Sequence, residues 1–190
     1  TESSMKLSFA TVALASIFPP SCSPKEHAVM PAPAAMTTEA MGRYCGMNVM
    51  EHDGPKGQVI MQQTEEVIWF SSARDTVAFT MLPEEPRDIA AIYVSDMSKA
   101  PSWEKPGAEN WVDARKAHYV IESSRVGGMG AAEAVPFSLE QDASAFASKS
   151  GGRVVGFKDS PENYVLGSQG QPSDEGQPAE PHGAGGHHHG

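Results

Sequence analysis

Cysteine is nearly missing: the 190 residues contain two, Cys22 and Cys45, so at most one disulfide can form. Basic side chains are also scarce. Fourteen Lys and Arg stand against 24 Asp and Glu, a formal charge of −10. A nucleic-acid surface is thereby excluded, since neutralising phosphates takes clustered cations. An acidic surface suits the carriage of a cation, but it is common to soluble proteins in general. Long apolar runs are absent too: Leu7 to Phe18 falls short of the roughly 20 residues that span a bilayer as a helix. What remains is ordinary for a folded chain. Hydrophobic content of 39% with three Trp supports a packed interior, and the length suits one domain or two small halves sharing a core.

The apolar run has the layout of an export leader. Lys6 precedes it and Pro19-Pro20-Ser21-Cys22 follows it. A cysteine after a small residue at that place resembles a lipoprotein cleavage site, with residues 1–22 removed or anchored and Cys22 the lipidated first mature residue. Two prolines stand where such sites carry Leu and a small residue. In an exported protein thiols tend to be oxidised. Two readings of Cys45 therefore stand side by side: a Cys22–Cys45 disulfide, or, with Cys22 cleaved or acylated, a lone thiol occupied by a metal.

Against this scarcity, sulfur and imidazole crowd one stretch. Tyr44-Cys45-Gly46-Met47-Asn48-Val49-Met50-Glu51-His52 puts a thiol, two thioethers and an imidazole within eight residues, from Cys45 to His52. It then closes on the turn Gly54-Pro55-Lys56-Gly57. Soft sulfur donors select Cu(I) over hard divalent ions. Cys45 is the thiolate candidate, and binding would displace its proton, so affinity should rise with pH. Met47 is either a second ligand, with Gly46 bending the backbone between the two sulfurs, or a core plug. Gly127-Gly128-Met129-Gly130 sets a methionine among three glycines, which cannot pack around it. Met129 is therefore expected to be the third ligand, presented by a loop. Met50 and His52 are in reserve; His118, on an expected strand, reads first as a structural histidine.

Periodicity outlines a repeated α+β pattern. Strands are expected at Gln58 to Met61, Val67 to Phe70 and Ile89 to Val94, with a helix capped by Ser71 or Ser72 running to about Met81. Further strands are expected at Trp111 to Ala114, His118 to Ile121, Ala134 to Phe137 and Arg153 to Phe157. A second helix runs from Leu139 to about Ser150, with Gly151-Gly152 as its stop. Phe70-Ser71, Asp75 and Ala78-Phe79 recur as Phe137-Ser138, Asp142 and Ala145-Phe146, an offset of 67 at every match. An internal duplication accounts for this agreement. The expected units are 42–100 and 101–167. Residues 23–41, rich in Pro, Ala and Met, read as a flexible tether whose Met30, Met36 and Met41 are linker residues or transient copper holders. Residues 168–190 read as a disordered tail, with His182 and His187-His188-His189 as weak ligands for divalent metal.

Cys45-Gly46-Met47 with Gly54-Pro55-Lys56-Gly57-Gln58, the segment Asp113-Ala114-Arg115-Lys116-Ala117-His118-Tyr119-Val120, and Gly127-Gly128-Met129-Gly130 through Pro136-Phe137 together resemble the NosL family. The resemblance covers roughly Tyr44 to Gly167. It implies a periplasmic, outer-membrane-anchored lipoprotein acting as a Cu(I) chaperone. Such a protein would supply copper to the copper–sulfide centre of nitrous oxide reductase, with a NosDFY-type membrane complex and the reductase itself as its implied partners. It further implies Cys45, Met47 and Met129 as the ligand set, and two ββαβ-type units related to the organomercurial lyase fold. That relation prompts the alternative of a thiol-dependent enzyme using Cys45, although such chemistry needs paired thiols and a nearby acid. An electron-transfer copper site, which takes two His with one Cys, fits the donors less well.

Overall fold

A computed structural model describes residues 29–167. The leader with Cys22, and the tail with His182 and His187 to His189, lie outside the described residues.

The first unit is β1 (Gly57–Met61), β2 (Val67–Phe70), α1 (Ala73–Phe79) and β3 (Ile89–Ser95). β1 is buried along its whole length, and it pairs antiparallel with β2 on one edge and β3 on the other. A strand covered on both faces reads as a continuous apolar run, which is how Val59-Ile60-Met61 could be recognised. Ser72 caps α1 by accepting a hydrogen bond from the Asp75 amide. The helix ends at Phe79, two residues earlier than its apolar face suggests, and Pro83 keeps the chain from resuming it.

A strand β4 (Trp111–Asp113) pairs with β3, so the first sheet runs β2-β1-β3-β4. This corrects the expected boundary at residue 100, because β4 closes the first sheet rather than opening the second unit. That unit is β5 (His118–Ile121), β6 (Val135–Phe137), α2 (Glu140–Ser150) and β7 (Arg153–Gly156), followed by a short α3 (Glu162–Val165). Its sheet runs β6-β5-β7, all antiparallel. Both units thus place the first strand at the centre with the second and third on its flanks, as an internal duplication requires. Gly151, in the left-handed region at φ 74°, ends α2 where the glycine pair marks the stop.

Neither sheet buries enough surface alone. One apolar cluster joins Val59, Phe70, Val77 and Ile92 of the first unit to Tyr119, Ile121, Ala134 and Val155 of the second. The chain is one α+β body with a common core.

The expected tether ends sooner than residue 41. The side-chain amide of Gln58 pairs with both backbone groups of Ala34, at 2.8 and 2.9 Å. Met36 donates its amide to Ala108 at 2.9 Å, and its side chain is buried with Ala40 and Val49. A proline- and alanine-rich segment without apolar period is ordered here by partners far along the chain, which no local pattern discloses. Met36 is a core residue, not a surface sulfur. Met36→Ala should therefore cost about 2 kcal/mol of unfolding free energy, while the half-exposed Met30→Ala should stay within about 0.5 kcal/mol. Urea denaturation checks this; equal effects would return Met36 to the linker.

Candidate metal centre

Cys45 sits on a tight hairpin. Met41 bridges Asn48, and the Gly42 amide donates to Met47 O at 2.8 Å. The Gly46 amide donates back to Gly42 O at 2.8 Å. Gly46 adopts φ +64°, a left-handed conformation that a Cβ would oppose. The hairpin is tied to the body at both ends. Arg43 and the Tyr44 hydroxyl donate to the two oxygens of buried Glu85, at 3.0 and 3.2 Å. Asn48 caps a 3₁₀ turn, Val49–Glu51, whose Val49 is fully buried. The Tyr44 phenol is pushed up by burial and then by the Glu85 charge. The Cys45 thiol lies 3.3 Å from Ser71 Oγ and 3.9 Å from Met47 O. Ser71 can thus donate to the sulfur when it is a thiolate, while Ser72 alone caps the helix.

Met129 stands on a second tight loop, in which the Gly127 amide donates to Ala131 O and the Gly130 amide to Gly127 O, both at 2.8 Å. This loop rests on the turn after the hairpin. A Cβ on Gly128 would come within 2.6 Å of His52 Cβ and 2.8 Å of the Asp53 amide, so only glycine allows that approach.

Cys45 and Met129, one from each loop, line the same cavity of about 470 Å³ between the two units. Its wall is otherwise mostly apolar, with Leu82 from beyond α1 and Val165 and Leu166 from the end of α3. Met47 follows Cys45 on the hairpin at 41% exposed, outside that lining. Met50 is half-exposed on the 3₁₀ turn. His52 presents a buried Nε2 with no hydrogen-bond partner, beside the Met129 loop, and so is neither plainly exposed nor satisfied. His118 lies on β5, the central strand of the second sheet, and not in the cavity lining. Among the described residues no three of His, Cys, Asp and Glu gather into a metal cluster, and a hard divalent ion has no ready-made cage. Of the nine exposed large apolar side chains described, six lie on these two loops: Met41, Tyr44, Met47, Met50, Val126 and Met129.

Sequence patterns gave no notice of the charged residues beneath the sulfurs. Glu133 is 1% exposed and lines the cavity. Its Oε1 accepts from Ser72 Oγ at 3.1 Å, from the Arg74 amide at 2.8 Å and from the Ala134 amide at 2.9 Å, while Oε2 has no partner. Burial pushes this carboxyl up to about 7, against the pull of its donors. Lys56, also 1% exposed, donates to Asp53 O and Gly54 O at 2.9 and 2.7 Å and so holds the turn before β1. Burial brings its ammonium down to about 8, opposed by the charges of Glu133, Asp53 and Cys45. Asp75, in the same cavity wall, is raised by burial. A lone Glu in a polar-looking loop and a Lys in a turn read as solvated; Glu133 meets partners some 60 residues away, and the Lys56 amide donates to Ser95 Oγ, 39 residues on.

Fold and cavity together define a class: a duplicated ββαβ protein that brings a thiol and a thioether from different units to one cavity. The chain belongs to the NosL family, whose model matches residues 33–165. It is similar to the copper-binding lipoprotein NosL of Achromobacter cycloclastes, at 45% identity over 135 residues, 70% of each chain. The copper-binding lipoprotein NosL of Stutzerimonas stutzeri is 39% identical over 115 residues, 60% of this chain and 58% of that one. Among solved structures, that of the copper chaperone NosL from Shewanella denitrificans matches with a TM-score of 0.63 at 36% identity. The match covers 68% of this chain and 96% of that one.

The buried carboxyl has a consequence for stability. Between its usual 4.5 and about 7, Glu133 in the native state holds a proton that the unfolded chain has released. Stability should therefore fall as pH rises through that window, by an amount on the order of 3 kcal/mol from this group. Glu133→Gln should remove that contribution, so that its stability relative to the natural chain improves from pH 4.5 to 7 in urea denaturation. A difference independent of pH would mean that the carboxyl is not desolvated.

Proposed function

We propose that this protein is a Cu(I)-binding metallochaperone, not an enzyme. The observation that carries the reading is the meeting of Cys45 and Met129, from loops of different units, in one cavity lining. The names of the relatives, copper-binding lipoprotein and copper chaperone, support it. In this reading Cys45, Met47 and Met129 hold the ion, with His52 and Met50 as the nearby reserve and His118 in a structural place. The thiolate supplies selectivity for a soft monovalent ion; the thioethers bind weakly enough to be displaced one at a time. Met47 and Met129 are nearly half exposed, so an incoming protein can reach the sulfurs without unfolding the site. The apolar methionine-rich surface around them is of the adaptable kind that suits docking.

The cargo is copper for the copper–sulfide centre of nitrous oxide reductase, passed through a NosDFY-type membrane complex or to the reductase itself. The protein works in the periplasm, held at the outer membrane by a lipid on Cys22. One observation favours a second reading, a thiol-dependent enzyme related to organomercurial lyase: Glu133 places a buried acid in the same cavity as Cys45. Turnover of an organomercurial, abolished by Cys45→Ser, would support that alternative.

Equilibrium competition with a Cu(I) chelator tests the chaperone reading. Changes in outer-shell residues alone cost metal sites roughly 10–100-fold, so Cys45→Ala should lower Cu(I) affinity by more than about a hundredfold. Met47→Leu and Met129→Leu should each cause a smaller loss. Tight Cu(I) binding that survives Cys45→Ala would overturn the assignment.

A further inference from the structure

The cavity is much larger than a single ion needs, and its floor carries an unused acceptor. An ionised carboxylate has about four lone-pair positions. Glu133 uses those of Oε1 on three donors and none of those of Oε2. That oxygen is buried, and it lies against the cavity wall at Gly127, where a Cβ would come within 2.6 Å of it. Buried polar atoms are almost always paired, so an orphan acceptor in a cavity lining points to a ligand that donates.

We propose that the floor of this cavity is a subsite for a neutral imidazole, with Glu133 Oε2 accepting the ring N–H and the other ring nitrogen facing the sulfur edge made by Cys45 and Met129. Three observations select this group. The lining that holds Glu133 and its polar neighbours Ser72 and Arg74 also carries apolar Ala78, Leu82 and Val165, a surface for a flat ring. Cationic groups, Lys56 and Arg74, stand near the carboxyls of Glu133 and Asp75, so neither sign prevails and a neutral occupant is favoured over an ion. Imidazole is also the side chain that offers an N–H donor and a nitrogen lone pair at once. A carboxylate that accepts from one ring nitrogen fixes and strengthens the other as a metal ligand.

The second nitrogen acquires its role only if the copper reading holds; the hydrogen bond to Glu133 does not depend on it. The imidazole has two possible sources. One is a histidine of an acceptor protein. The other is the chain's own His182 and His187 to His189, which follow Gly167 in sequence, just past the cavity-lining Val165 and Leu166.

The test uses the full metal-free chain at pH 8 with free imidazole as probe, read by the methyl NMR signals of Leu82, Val165 and Leu166. These should shift saturably. At that pH 1-methylimidazole keeps the lone pair but has no N–H, and it should bind at least about tenfold more weakly, the worth of a hydrogen bond to a charged acceptor. Glu133→Gln, which keeps Oε1 and replaces Oε2 with a donor, leaves the ring N–H without an acceptor and offers a donor to the lone pair of either probe, so the preference for imidazole over 1-methylimidazole should disappear. Equal binding of the two probes by the natural chain, no saturable shift, or the same preference for imidazole kept in a folded Glu133→Gln overturns the proposal. If that variant fails to fold, the two-probe comparison on the natural chain decides. A chain with all four tail histidines changed to Gln separates the sources. Tighter imidazole binding in it than in the natural chain identifies the tail as the resident, and equal binding identifies a partner. Because no copper is present, failure here leaves the Cu(I) competition result standing on its own.

Discussion

One carboxylate oxygen determines how the two halves meet. Glu133 Oε1 gathers the Ser72 hydroxyl and the Arg74 amide, at the start of α1, with the Ala134 amide at the entry to β6. On the other side, the Tyr164 hydroxyl donates to the Glu133 carbonyl at 2.8 Å and brings α3 to the same point. The first turn of a helix has amides without intrahelical partners. Here one of them is satisfied from the opposite unit, so unit 1 cannot shift against unit 2 without stranding buried donors. That constraint sets the distance between the hairpin and the Met129 loop, and thereby the cavity between them.

Such a site divides labour between rigid and soft parts. The sulfurs are carried on short loops with exposed tips, while each loop's base is fixed by buried contacts. Glu85 holds Arg43 and Tyr44, and Lys56 holds the carbonyls of Asp53 and Gly54. A fully buried donor set would hold an ion well and release it slowly. Sulfur atoms at the rim of a preformed cavity keep the geometry while leaving a partner free access. The surface is acidic overall, yet the charges beneath the cavity are nearly balanced, so the local field there is not that of the net charge.

The regular elements were legible because each depends on its own residues. β1, β2 and β3 declare themselves by apolar and β-branched runs, and α1 by Ser72 followed by Ala73, Val77 and Ala78 on one face. The place of Cys45 and Met129 on loops was legible because sulfur is rare and glycine around a methionine leaves it nothing to pack on. What stayed hidden depends on distant partners. Met36 is buried by contacts with Ala108 and its neighbours, β4 belongs to β3 by pairing alone, and Glu133 is buried by residues 59 and 61 positions away. A charged residue in a loop carries no local mark of desolvation. His52 is the intermediate case: the turn was visible, but the burial of Nε2 comes from the loop at Gly128.

The duplication also explains where the site lies. The two units repeat the same strand order around a central first strand, but their loops are unequal. β1 and β2 are joined by five residues, 62–66, whereas β5 and β6 are joined by thirteen, 122–134. The longer connection holds both Met129 and Glu133. The hairpin with Cys45 lies ahead of β1, in the segment running back to Met36, outside the repeated pattern altogether. A repeated scaffold needs its strands and helices to match so that the common core closes, and it tolerates changes only in what projects beyond that core. Chemistry therefore accumulates at the positions where the copies differ. The sulfur cavity arises because the two departures from the repeat fall on the same side of one shared interior.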